Sequence, residues 1–158
     1  TGDLVHALQP DWASEAPETV TVARIEQGYR TEIVSNGFPL VADEPESLGG
    51  TNTGPGPYDN LLTALGSCSA MTMRMYADRK DWPLEAATVR LSHRKVHARD
   101  CEQCETDGGF VDHVDREIEL VGNLDDAQRE RLLEMADRCP VHKMLHGEVI
   151  VHTRLVGA

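Results

Sequence analysis

Basic residues are scarce: 15 Lys and Arg stand against 27 Asp and Glu, a net charge of −12. Nucleic acid is therefore not an expected partner, because binding it depends on neutralising phosphates with a basic surface. An anionic membrane surface is disfavoured for the same reason. Cysteine is scarce too; four in 158 residues are too few for a disulfide-dense miniprotein. No apolar run approaches the roughly 18 residues that a membrane span requires. The N-terminus, which begins at Thr1, lacks the basic-then-apolar layout of a secretory signal, so a cytoplasmic location is the expectation. In that setting the four Cys read first as thiols with redox or metal duties and second as structural disulfides. Internal repeats, low-complexity tracts, a Walker-type loop, a dinucleotide fingerprint and a Ser-His-Asp order are all missing. With a hydrophobic content of 40%, what remains is a single globular domain able to bury a real core.

The order of elements follows from pattern and turn chemistry. Residues 1–18 carry Pro10 and Pro17 without a clear period and read as an extension whose Trp12 packs on the body. The β-branched run from Thr19 to Ile25, the Gln27-Gly28 turn, the return strand from Arg30 to Val34 and the Asn36-Gly37 hairpin signal predict a three-stranded meander ending near Val41. A long Gly- and Pro-bearing loop follows to Pro57, in which the acidic run Asp43, Glu44 and Glu46 reads as solvated. Tyr58 to Lys80 is rich in Leu, Ala and Met and uncharged between Asp59 and Arg74. That predicts a long helix buried on nearly every side. Alternation over 87–97 and again through Val114, Ile118 and Leu120 predicts an antiparallel pair with one wet face. Asp125 with Gln128 forms a plausible capping box, and Leu132, Met135, Ala136 and Cys139 fall on one helical stripe. Pro140 starts a short helix, and Val149, Val151, Thr153 and Leu155 predict a closing strand. The expected fold is α+β in the order βββ–α–ββ–α–β, with one domain over 19–158 behind the 1–18 extension.

Cys68 lies in the long helix between Ser67 and Ser69, where it is either a small core hydrophobe or a reactive thiol. Cys139 sits where one helix stops and another starts. There unpaired amides favour thiolate, and His142 three residues on reinforces this. Two such thiols can form a pair in which one is oxidised and the other resolves it. A second constellation is His93, His97, Cys101, Cys104 and His113, which contains a C-x-x-C and enough N and S donors for tetrahedral zinc. The usual two-Cys, two-His finger spacing is absent, so a solvated loop with incidental thiols is the first reading and a metal or accessory redox site the second.

The run Gly56-Pro57-Tyr58-Asp59-Asn60-Leu61-Leu62-Thr63-Ala64-Leu65-Gly66-Ser67-Cys68-Ser69-Ala70-Met71-Thr72, together with Asp137-Arg138-Cys139-Pro140-Val141-His142-Lys143, resembles the OsmC/Ohr family of osmotically inducible and organic hydroperoxide resistance proteins. The resemblance spans roughly residues 18–156 and is nearest to the OsmC-like branch. It implies antiparallel sheets wrapped around a long buried Cys-bearing helix in an intertwined homodimer, with two sites at the subunit interface. It also implies a thiol peroxidase for organic hydroperoxides, with Cys68 as the peroxidatic and Cys139 as the resolving thiol. No bound cofactor is implied; an external dithiol or lipoyl-type reductant reopens the disulfide. An Arg of the first hairpin assists in this family, for which Arg30 is preferred over Arg24. The family's Arg-orienting Glu position holds Tyr58 here, and Asp59, one residue on and shorter, is the carboxylate that stands in. Two competing readings are a metal- or redox-responsive binding module built on Cys101, Cys104 and the nearby His, and a non-catalytic small-molecule binder.

Overall fold

In the computed structural model of the chain, the described residues are 10–13, 20–102, 105 and 108–156. They form two compact units, Thr1–Leu61 and Leu62–Ala158.

The first unit holds the predicted meander: β1 (Thr21–Ile25), β2 (Thr31–Ser35) and β3 (Phe38–Ala42) pair antiparallel in that order. The turns have the expected chemistry. Gly28, Asn36 and Gly37 all take positive φ, as tight hairpins demand. A single turn of 3-10 helix at Asp11–Ala13 brings Trp12 to β1, where the Arg24 guanidinium lies 6.0 Å from the indole centroid. The loop after β3 departs from the expectation of a solvated acidic run. Asp43 is buried and accepts hydrogen bonds from the Thr51 hydroxyl (2.6 Å), the Thr53 hydroxyl (2.7 Å) and the backbone N–H groups of Glu44, Thr51 and Thr53. These donors lie up to ten residues away, so the carboxylate ties the whole loop into one knot. Gly50 permits this closure, because a Cβ there would come within 1.9 Å of the Glu44 carbonyl oxygen.

Helix α1 (Pro57–Arg79) begins at the end of the first unit and runs through the second. Pro57 suits its first position, and the Asp59 carboxylate accepts from the Gly56 N–H at 2.9 Å, satisfying a donor at the helix entry. Within one chain only one stripe is buried: Leu65, Ser69, Met73 and Ala77, spaced by four residues. Met71 and Met75 are more than 60% exposed. The expectation of burial on nearly every side is thus corrected for the single chain: among the described residues, only this stripe of α1 is buried.

The second unit continues with β4 (Leu84–His97) and β5 (Phe110–Gly122), a long antiparallel pair whose register sets Leu91 opposite Arg116 and His93 opposite Val114. Its inner face packs on α1. Gly66 marks a close approach, since a Cβ there would meet the Leu91 side chain at 2.9 Å. Helix α2 (Asp126–Asp137) starts with the predicted capping box, both the Asp125 and the Gln128 side chains engaging the other's backbone N–H. Its Leu132 and Ala136 join Met73, Ala77, Leu84 and Leu124 in the core, with Tyr76, Trp82, Val89, Ile118 and Leu120 around them. Helix α3 (Pro140–His146) follows at once.

The predicted closing strand is not formed. Residues 148–156 lie outside any strand or helix, and Val149, Ile150, Val151, Leu155 and Val156 are exposed. β-branched alternation makes a segment fit to pair but does not supply a partner edge. Among the described residues the order is therefore βββ–α–ββ–α–α. No described helix is long and apolar enough to cross a membrane.

Candidate active site

Cys68 and Cys139 are free thiols, the first half-buried and the second fully buried. Cys68 flanks the buried stripe of α1. Its neighbour Ser69 lies on that stripe, and the Ser69 hydroxyl is 3.8 Å from the Cys139 sulfur. The structure thus brings the α1 residue adjacent to Cys68 into contact with Cys139. Cys139 owes its place to local sequence. Pro140 cannot continue α2 but suits the first position of a new helix, so Cys139 becomes the N-cap of α3, with its sulfur accepting the His142 N–H at 3.2 Å.

Arg116 binds these segments together. One of its terminal nitrogens donates to Ser69 Oγ (3.0 Å) and to the Ala136 carbonyl (3.3 Å); the other pairs with the Asp137 carboxylate. Its side chain is only 14% exposed, so the guanidinium is fixed in place rather than waving in solvent. Sequence reasoning passed over Arg116. The signal was present in the strand's parity, because residues 114, 116, 118 and 120 share one face, and Arg116 is the charge on an otherwise apolar row.

His142 lies beside this group, with Nδ1 at 3.9 Å from the Asp137 carboxylate and its ring 4.4 Å from that of His146. Burial, first, pushes its pKa below the ordinary value, and the positive potential of His146 and Arg116 acts the same way; Asp137 opposes them. The imidazole is thereby held toward its neutral form.

Arg30 and Asp59 belong to the first unit, where each has its own contacts. Arg30 pairs loosely with Glu32 at 3.9 Å and, with Trp12, Arg24, Glu26, Gln27 and Glu32, lines a cavity of about 300 Å³. Arg24, the other candidate, pairs with Glu26 at 2.8 Å. Asp59 serves the entry of α1, as described above.

The C-x-x-C segment falls partly outside the described residues, and Cys104 lies outside them. Cys101 is disulfide-bonded. It lines a cavity of about 530 Å³ with Arg94, His113 and His146. His93 contacts Asp112 at 2.8 Å, and His97 accepts the Arg99 N–H and packs edge-on against Phe110. Among the described residues, no group of three His, Cys, Asp or Glu side chains is arranged to hold a metal ion.

Residues 50–154 match the family model described as OsmC-like protein. Among solved structures, an OsmC-like protein from Mycoplasma pneumoniae is 20% identical, with a TM-score of 0.66 over 84% of this chain and 90% of that one. An organic hydroperoxide resistance protein OsmC from Legionella pneumophila is 20% identical, with a TM-score of 0.59 over 84% and 93%. The organic hydroperoxide resistance protein OhrB of Bacillus subtilis is 19% identical, with a TM-score of 0.56 over 80% and 89%. At these identities the likeness is one of fold. No curated protein matches in sequence.

Proposed function

The chain belongs to the OsmC-like protein family, and from that premise we propose that it is a thiol-dependent peroxidase that reduces organic hydroperoxides through Cys68 and Cys139. The Cys68 thiolate attacks the distal oxygen of ROOH, the O–O bond breaks, and the alkoxide leaves as the alcohol after taking a proton. Cys68 is left as sulfenic acid, which condenses with the Cys139 thiol to a disulfide and releases water. An external dithiol, of lipoyl type in the hydroperoxide resistance branch, restores both thiols by exchange. The observation carrying this reading is the 3.8 Å contact between Ser69, adjacent to Cys68, and the Cys139 sulfur. Both thiols are free in this arrangement, Cys68 half-buried and Cys139 fully buried.

One equivalent of an alkyl hydroperoxide should convert the reduced protein to a Cys68–Cys139 disulfide, read by mass spectrometry after alkylation. Cys68→Ser should abolish hydroperoxide consumption, and full activity in that variant would overturn the proposal. In this reading the working unit is a homodimer, which the exposed Met71 and Met75 of α1 support.

A second reading rests on Cys101. Its disulfide and the cavity beside it favour the redox form of the alternative module over the zinc form, since a thiolate held in a disulfide is not a metal ligand. Mild dithiol treatment of the native protein should make Cys101 alkylatable. Resistance to reduction would mark it as purely structural, and zinc co-purifying with an alkylation-protected Cys101 would favour the metal form.

A further inference from the structure

Arg116 is a feature of the thiol site that the two-cysteine cycle leaves unassigned. It belongs to β5 and carries neither sulfur. Yet its guanidinium reaches α1 through Ser69 Oγ, the last turn of α2 through the Ala136 carbonyl, and the α2 terminus through the Asp137 carboxylate. Ser69 is the residue after Cys68, and Asp137 lies two before Cys139. Two separate segments of chain, the α1 stretch that bears Cys68 and the end of α2 that leads into Cys139, are therefore pinned to one planar, rigid cation.

Ser69 has a single hydroxyl hydrogen, and its uses can be counted. It donates to the Leu65 carbonyl at 2.8 Å in the α1 back-bond. The oxygen then accepts from Arg116 at 3.0 Å, and its remaining lone pair faces the Cys139 sulfur at 3.8 Å, where the thiol S–H can donate. The same sulfur accepts the His142 N–H. Cys139 is thus held from both sides, by α1 through Ser69 and by its own helix α3, and Arg116 fixes the oxygen on the α1 side.

We propose that Arg116, acting through Ser69, is a positioning residue for disulfide closure: it holds the Cys139 sulfur against the Cys68 segment of α1. It acts on neither the hydroperoxide nor the first oxidation. This inference rests on Cys68 and Cys139 being the pair that closes. Proximity of this kind sets the effective concentration of one group at another, and displacements near 1 Å can cost on the order of 100-fold in rate.

The test uses diamide, a thiol oxidant that accepts both thiol hydrogens as the S–S bond forms, so no hydroperoxide chemistry is involved. Closure of the Cys68–Cys139 disulfide is timed by quenched alkylation and mass spectrometry, and alkylation of Cys68 by iodoacetamide is timed in parallel. Arg116→Ala should slow closure by about tenfold or more while Cys68 alkylates within about twofold of the parent rate. Arg116→Lys, whose single ammonium does not span three acceptors, should fall between. If Arg116→Ala does not fold, Ser69→Ala carries the test and should close several-fold more slowly. Closure at the parent rate in whichever variant folds overturns the proposal, as does a parent protein in which diamide forms no Cys68–Cys139 disulfide. A parent protein that closes with diamide but consumes no hydroperoxide would sink the peroxidase reading and leave this one standing. Full turnover with unaltered closure in Arg116→Ala would do the reverse.

Discussion

At the scale of single residues, the structure separates charges that do structural work from those that border the chemistry. Asp43 belongs to the first kind. The Thr51 hydroxyl is the main cause holding its carboxyl well below the usual value of 3.8; burial opposes this, and Thr53 and the Glu44 N–H reinforce it. A carboxyl depressed in the folded state contributes stability that is complete above its unfolded value and is lost as pH falls through the folded one. The loop should therefore loosen in acid below about pH 4. Asp43→Asn, which brings an NH2 donor into a carboxylate site ringed by five N–H and O–H groups, should lower the unfolding midpoint at neutral pH and flatten the acid limb of the stability curve. Denaturant melts at neutral and acid pH check both, and an unchanged acid limb would show that Asp43 is not its source. Asp43 was not legible in the sequence, and Arg116 only through the parity of its strand. The Thr donors to Asp43 are eight and ten residues off, and Arg116 was masked by the charges on either side of it in β5.

Among the elements, local signals translated well wherever the information was local. Asn36-Gly37 made its hairpin and Pro140 opened its helix. The capping box at Asp125 and Gln128 formed as its spacing required, with Asp125 accepting the Gln128 N–H at 2.8 Å. Asp125→Ala should cost about 0.5–2 kcal/mol, the usual worth of an N-cap. A thermal or urea melt measures it, and a loss near zero would mean that packing of Leu132 and Ala136 alone holds α2. The elements that were misread depend on partners that sequence does not name. The stripe of α1 that is buried could be told from the stripe that is not only by knowing which elements the chain itself lays against it. The same holds for residues 148–156, whose alternation allows a strand but whose pairing requires another edge.

For the whole molecule, the exposed apolar side chains of the helices bear on the proposed dimer. Met71 and Met75 on α1, Leu133 on α2, and Met144 and Leu145 on α3 are all exposed. Sedimentation or light scattering should give twice 17.4 kDa, and a stable monomer at micromolar concentration would count against the dimeric working unit. Replacing Met71 and Met75 together with Glu should shift the equilibrium toward single chains and lower hydroperoxide turnover in step. Dissociation without loss of turnover would show that one subunit suffices. The exposed tail at 148–156 bears on the same balance. An unladdered, alternately greasy segment is a place where any chain can stick to any other, correctly or not. The molecule's surplus of 12 negative charges opposes such adhesion by repelling one copy from another. Added salt, which shortens the reach of that repulsion to a few ångströms, should therefore speed association and widen the range of products formed, including the unwanted ones.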